Sequence, residues 1–80
     1  MPYITEEQRN IVEDTNDPMN AGELNFLLTS ICRDYFRLRG GRYQQINDVI
    51  GALEGCKLEF YRRLVGPYED KKIEENGDVY

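Results

Sequence analysis

Few residues in this chain are placed for acid–base or nucleophilic chemistry. The sequence contains no histidine, which excludes a nucleophile activated by histidine. Eight of its 15 acidic residues occur as four adjacent pairs: Glu6/Glu7, Glu13/Asp14, Glu69/Asp70 and Glu74/Glu75. Because neighbouring residues on a helix point about 100° apart, these carboxyl groups do not converge on one site. We therefore expect a protein that is not an enzyme, with no catalytic residue and no cofactor.

Metal sites and phosphate-binding loops are not predicted either. Cys32 and Cys56 are not at metal-ligand spacing, and no histidine is present to complete a zinc site. Gly40-Gly41 follows a predicted helix and lacks the Lys-Ser/Thr pair of a phosphate loop. Both cysteines lie in apolar helical patterns with no signal peptide before them, so we expect two buried, reduced thiols.

Arginine and tyrosine side chains are the combination in this sequence that suits a ligand, since arginine grips phosphate and stacks on aromatic faces. Arg33 and Arg37 share one helix face, and in an antiparallel hairpin Arg62 and Arg63 approach Asn25. The competing interpretation is that these arginines pair with the many acidic residues. The candidate ligand-binding residues are Asn25, Arg33, Arg37, Arg39, Arg42, Tyr43, Tyr61, Arg62, Arg63, Tyr68, Lys71 and Lys72.

The charge distribution narrows the class of partner. The net charge is −5, whereas residues 33–63 carry seven basic side chains against four acidic ones. An acidic protein is a poor general ligand for nucleic acid, because phosphate neutralisation dominates that affinity. No apolar run approaches the roughly 20 residues of a membrane span. We expect a small anionic ligand or a protein partner, with no membrane partner, and a nucleic-acid-associated role is disfavoured.

The first half of the chain predicts two helices. Thr5 and Gln8 form a capping box, which predicts a helix from about Glu6 to Asp14. Asn20 and Glu23 cap a second helix, which ends near Arg39 where Gly40-Gly41 supplies a left-handed turn. Apolar residues at steps of three and four make this second helix amphipathic. They are Leu24, Leu27, Leu28, Ile31, Cys32, Tyr35 and Leu38.

A third helix is predicted from about Tyr43 to Leu64, followed by a break or sharp kink at Gly66-Pro67. The short Gly40–Arg42 link makes the second and third helices an antiparallel hairpin. Residues 66–80 then form a short helix, ended by Asn76-Gly77, and a tail. The fold class is therefore all-α in one domain: an N-terminal helix and loop (1–19), a hairpin (20–65) and a C-terminal helix with a docking tail (66–80).

A chain of 80 residues buries a small core, which favours reinforcement by homo-oligomerisation. Phe26 and Phe36 lie off the main apolar stripe, which suggests burial against another chain. Gly51 and Gly55 share one face and suit close packing of a neighbouring helix. The expected oligomer interface comprises Phe26, Phe36, Gly51, Gly55, Val79 and Tyr80.

Four stretches carry a resemblance over nearly the whole chain: Met1-Pro-Tyr-Ile4, Gly22-Glu-Leu-Asn25, Lys57-Leu-Glu-Phe-Tyr-Arg-Arg63 and the tail from Pro67 to Tyr80. Together they resemble a family of small proteins of unknown function from tailed bacteriophages and prophages. The resemblance implies a phage accessory protein in the host bacterial cytoplasm, with no activity or site residue to carry over.

Two hypotheses follow from that context. The first is a counter-defence protein that sequesters a small nucleotide second messenger in pockets between subunits of a homo-oligomer. The alternative is a small oligomeric adaptor or inhibitor that binds a phage protein or a host defence protein directly, through the Phe26/Phe36 face or the tail.

Overall fold

A computed structural model describes residues 3–80, and these residues form helices and no strand. Met1 and Pro2, which open the apolar Met1–Ile4 segment, lie outside the described residues. The helices are α1 (Glu6–Thr15), α2 (Ala21–Leu38), α3 (Tyr43–Phe60) and α4 (Gly66–Asn76), with a π-helical segment (Tyr61–Val65) joining α3 to α4. The predicted all-α class is confirmed. The backbone divides into two compact units, one reaching Ile46 and the other covering Asn47–Tyr80.

The predicted capping box starts α1. The Gln8 amide donates to Thr5 Oγ1 at 3.1 Å, and the Thr5 amide donates to Gln8 Oε1 at 2.8 Å. These two bonds satisfy backbone donors that have no partner within the helix. The helix ends at Asn16, which adopts the left-handed conformation and donates its amide to the Val12 carbonyl at 2.8 Å.

A denser network starts α2 around the side chain of Glu23. The Glu23 amide donates to Asn20 Oδ1 at 2.9 Å, while the Glu23 carboxylate accepts from the Met19 amide and the Asn20 side chain, both at 3.1 Å. Only 8% of Glu23 is exposed. A buried carboxylate is tolerated here because both of its oxygens accept hydrogen bonds at a helix N-terminus, where negative charge is favourable.

The first unit is held together by α1 lying on α2. Val12 of α1 is fully buried, and Gly22 and Glu23, at the start of α2, are buried as well. One valine is a small core, so the α1–α2 contact leaves most apolar residues of α2 exposed.

The turn after α2 follows the predicted glycine chemistry. Gly40 and Gly41 both have positive φ, at 125° and 62°, and the Gly41 amide donates to the Phe36 carbonyl at 2.8 Å. This hydrogen bond closes a loop of six residues, as in the Schellman motif, and glycine adopts the positive φ that the motif needs without steric cost. A Cβ on Gly41 would contact the Phe36 ring at 3.6 Å, so the turn folds back over that ring.

Of the two alternatives predicted at Gly66-Pro67, a break or a sharp kink, the break does not occur. Gly66 has helical dihedrals (φ −56°, ψ −53°), and helical backbone continues from α3 through the π segment into α4. The Gly66 amide donates to the carbonyl of Tyr61, five residues earlier. An α-helix would press the Pro67 ring against the carbonyl four residues back, and the wider π turn relieves that clash. Pro67 therefore lies in the first turn of α4.

Candidate functional site

Arg33 and Arg37 lie one turn apart on α2 and contribute to a cavity in the first unit. The cavity has a volume of about 470 Å³. It lies between the α2 arginines and α1, and Glu13 of α1 forms part of its wall. The lining residues are Glu13, Ser30, Arg33, Asp34, Phe36 and Arg37.

The charges around this cavity balance. Arg37 Nη2 lies 3.2 Å from Asp34 Oδ1, in an ion pair whose side chains are 73% and 64% exposed. Glu13 adds a second carboxylate to the lining that contains the two arginines. Exposed pairs of this kind contribute little to stability, so Arg37 can exchange Asp34 for a ligand at small cost. The Phe36 ring supplies an aromatic surface beside the charged groups.

Asn25, a predicted ligand residue, and Phe26, a predicted interface residue, line a different and smaller cavity of about 110 Å³ near the N-terminal segment. Arg39, Arg42 and Tyr43 surround the Gly40-Gly41 turn and are exposed. The Arg42 amide donates to Gln45 Oε1 at 3.0 Å, which caps the start of α3. The structure thus separates Asn25 from Arg33 and Arg37 within the first unit.

In the second unit, the predicted ligand residues are largely paired with neighbouring acids. Arg63 Nε donates to Glu59 Oε1 at 2.6 Å and Arg62 Nη2 donates to the same oxygen at 3.2 Å. Glu54 pairs with Lys57 at 3.4 Å. The Glu59–Arg63 and Glu54–Lys57 pairs predicted from helical spacing are confirmed, which favours the interpretation that these basic residues pair with acids.

Tyr61, Tyr68 and the C-terminal lysines form short contacts along one continuous stretch of helix. The Tyr61 hydroxyl donates to Glu69 Oε1 at 2.6 Å, and this hydrogen bond together with the Glu69 charge raises the pKa of Tyr61 above its ordinary value of 10.0. Lys72 Nζ lies 5.6 Å from the centre of the Tyr68 ring and 3.5 Å from Glu75 Oε2. Lys71 is exposed.

The predicted interface residues fall on several surfaces. Phe26 and Phe36 are half-buried rather than exposed, since Phe26 lines the smaller cavity and Phe36 lies under the turn. Gly51 and Gly55 have open space where a Cβ would stand. Val79 and Tyr80 are exposed, beside a shallow hollow near the end of α4. Cys56 is an exposed free thiol rather than a buried one, and Cys32 is a half-buried free thiol.

The most extensive apolar surface on α2 faces away from α1. We define the α2 stripe as Leu24, Leu28, Ile31, Tyr35 and Leu38, all of which are exposed. Gly22 and Phe26 each lie two residues from members of this stripe, so they point to the other side of the helix. Periodicity identified these residues as apolar, but it did not indicate that α1 would cover the opposite face.

A second exposed stripe runs along α3 into the π segment. We define the α3 stripe as Ile46, Ile50, Leu53, Phe60 and Leu64, and all five are exposed. Lys57 occupies the one helical position of this stripe that is not apolar. Gly51 and Gly55 lie roughly 140–180° around the helix from the centre of the stripe, so α3 has an apolar face and a separate small-residue face.

Comparison with known proteins assigns a family. Residues 1–79 match the family model described as a domain of unknown function, DUF6899. The chain is a member of the DUF6899 family. No curated protein and no solved structure matches this DUF6899 chain.

Residues 3–80 of the DUF6899 chain contain neither a membrane-spanning helix nor a group of metal ligands. None of the helices in that range has the length and apolar character needed to cross a membrane. Within the same range, no three cysteine or carboxylate side chains are grouped so that they could hold a metal ion.

Proposed function

We propose that this DUF6899 protein is a non-catalytic interaction protein that assembles with further copies of itself through the α2 and α3 stripes. The observation that carries the proposal is the exposure of two long apolar stripes on helices only 18 residues long. Contiguous exposed apolar surface marks binding sites in soluble proteins. Val12 is the one fully buried apolar side chain within residues 3–80, and so small a core needs such an assembly to complete it.

The spacing of both stripes supports a helical occupant. Their apolar residues recur at alternating steps of four and three, the repeat that lets side chains of one helix fit between those of another. Full burial of each Leu, Ile or Phe side chain contributes roughly 1.5–3 kcal/mol. A second copy carries the same two stripes, so a symmetric oligomer can bury both of them at once.

The proposal includes the antiparallel α2–α3 hairpin predicted from the short link between the helices. Two such hairpins build a four-helix bundle, in which each helix turns one stripe to a common core. The resemblance to small phage proteins supports a role as an accessory protein in the cytoplasm of a bacterial host. A host protein is then the alternative occupant of the stripes.

The test compares two charged substitutions on α3. Ile50, in the α3 stripe, is 62% exposed. Leu58 lies outside the stripe, about a quarter turn around the helix from Ile50, and is 59% exposed. Ile50→Glu places one charge per chain in the proposed interface and weakens assembly about 100-fold or more, because each subunit loses one buried side chain. Leu58→Glu makes the same kind of change outside the stripe and leaves assembly unchanged. Sedimentation equilibrium over a range of concentrations measures both.

A wild-type chain that stays monomeric at high concentration would contradict the proposal. Equal weakening by Ile50→Glu and Leu58→Glu would also contradict it, since the stripe would then have no special role. Helicity measured by circular dichroism checks that both variants keep their helices.

The cavity of Arg33 and Arg37 supports a second candidate function, the sequestration of a small phosphorylated ligand. Arg33 and Arg37 provide charge and Phe36 provides a surface for stacking, which are the contacts that a nucleotide uses. The two carboxylates that line the same cavity oppose a purely anionic ligand. For that reason self-assembly is the first proposal and nucleotide binding the second.

Thermal unfolding with ADP-ribose and with a cyclic dinucleotide tests this second candidate. A ligand at 100 times its Kd adds about 2.7 kcal/mol to the free energy of unfolding, which raises Tm measurably. Arg33→Ala abolishes the shift, whereas Arg62→Ala, an exposed arginine outside the cavity, preserves it. The candidate is wrong if neither probe changes Tm or if both variants respond as the wild type does.

A further inference from the structure

One charged residue, Lys57, interrupts the α3 stripe, and its position carries information about the partner. Ile46, Ile50, Leu53, Lys57, Phe60 and Leu64 follow one another at steps of 4, 3, 4, 3 and 4. Alternating steps of four and three separate the inward-facing a and d positions of a seven-residue repeat. Lys57 occupies an a position in this repeat. A single polar residue at such a position selects orientation and register at a cost in stability.

We infer that two copies of α3 pair antiparallel along the stripe, with Lys57 opposite the partner's Leu53 and beside the partner's Glu54. The inference rests on the proposed self-assembly and specifies its geometry. In this register Ile50 faces the partner's Phe60. The apolar positions on either side of Lys57 are thereby all covered.

Charge decides between the two orientations. A parallel, in-register pair places the two Lys57 ammonium groups side by side in an interface that excludes water, which is unfavourable. The antiparallel pair instead brings each Lys57 to a carboxylate of the other chain. Within one chain, Lys57 already pairs with Glu54 at 3.4 Å, with both side chains more than half exposed. Such an exposed pair is weak, so each lysine can exchange it for the equivalent contact across the interface.

Disulfide trapping tests the orientation. In a background of Cys32→Ser and Cys56→Ser, one full-length chain carries Ile50→Cys and a second, with a longer tag, carries Phe60→Cys, so that every chain keeps Lys57. After mixing and mild oxidation, the antiparallel pair yields the mixed disulfide at about ten times the amount of either same-variant product. The reason is that cysteines with Cα atoms more than roughly 7 Å apart cannot be bridged, and each cysteine faces the other variant.

Sedimentation of the same samples separates the inference from the proposal on which it rests. Same-variant disulfides in an oligomeric sample indicate parallel pairing and overturn the inference. An oligomer without any disulfide also overturns it, because the α3 stripes are then not paired with each other. A monomeric wild-type chain overturns both the inference and the proposed self-assembly.

A charge exchange tests the same contact without cysteines. Lys57→Glu weakens the oligomer about tenfold, and adding Glu54→Lys to the same chain restores it, with the restoration diminished at high salt. If Lys57→Glu leaves the dissociation constant unchanged, the lysine does not lie in the interface and the inference is wrong.

Discussion

At the scale of single residues, the contact between Tyr61 and Glu69 ties the π segment to α4. The 2.6 Å hydrogen bond joins residues eight positions apart, on either side of Pro67. Tyr61 was a candidate ligand residue by its type and neighbours. Its hydroxyl instead donates to Glu69.

This contact predicts a specific alkaline titration. Because Glu69 stabilises the neutral phenol, the pKa of Tyr61 in the folded chain lies above 10.0, its ordinary value. The stabilising contribution is therefore complete below pH 10.0 and is lost as the pH rises through the raised pKa. Tyrosinate absorbance of the wild type should show a late-titrating contribution, which Tyr61→Phe removes and Glu69→Gln shifts towards lower pH. If Tyr61→Phe leaves the late phase in place, another tyrosine causes it.

At the scale of helices, the boundaries set by local chemistry were predictable from the sequence. The two helix caps and the glycine turn form as predicted: Thr5 with Gln8, Asn20 with Glu23, and the glycines after α2. Each involves partners within about five residues. The π segment was not predictable in this way. Proline normally ends a helix, and the sequence does not reveal that a single wider turn can accommodate it.

The glycines of α3 give a prediction at this scale. Gly51 and Gly55 lie inside the helix, and no atom lies within 4 Å of a Cβ built at either position. Gly51→Ala with Gly55→Ala should therefore raise the free energy of unfolding by about 1 kcal/mol per site, because alanine is the better helix former. Chemical denaturation monitored by circular dichroism measures the change. A loss of stability, together with weaker assembly, would mean that a partner helix covers the small-residue face.

At the scale of the whole molecule, the sequence predicted the helical class but not which apolar residues would be covered. Both faces of α2 carry apolar side chains, so periodicity alone did not indicate that α1 would lie opposite the leucines. For the same reason Phe26 and Phe36 were expected to be exposed. The cavity of Arg33 and Arg37 was half predictable: the shared helix face of the arginines follows from spacing, whereas the Glu13 wall depends on the α1–α2 contact.

The C-terminal tail gives a prediction about assembly. Asp78 accepts a hydrogen bond from the Tyr80 amide at 3.0 Å, and the side chains of Val79 and Tyr80 are exposed. Deletion of Asp78–Tyr80 should weaken the oligomer several-fold while the helicity of α4 is kept, because the tail is expected to dock on a neighbouring copy. Native mass spectrometry and circular dichroism of the truncated chain measure the two quantities. Unchanged assembly and Tm would identify the tail as a solvated appendage.

The π segment also restricts how this protein can change in length. A π turn contains one residue more than the α-helical path between the same ends, so loss of one residue from Tyr61–Val65 would convert it into ordinary α-helix. That loss would leave the flanking helices in place but press the Pro67 ring into the carbonyl four residues before it. A shortened relative is therefore expected to have replaced Pro67 as well, so the extra residue and the proline should be gained or lost together.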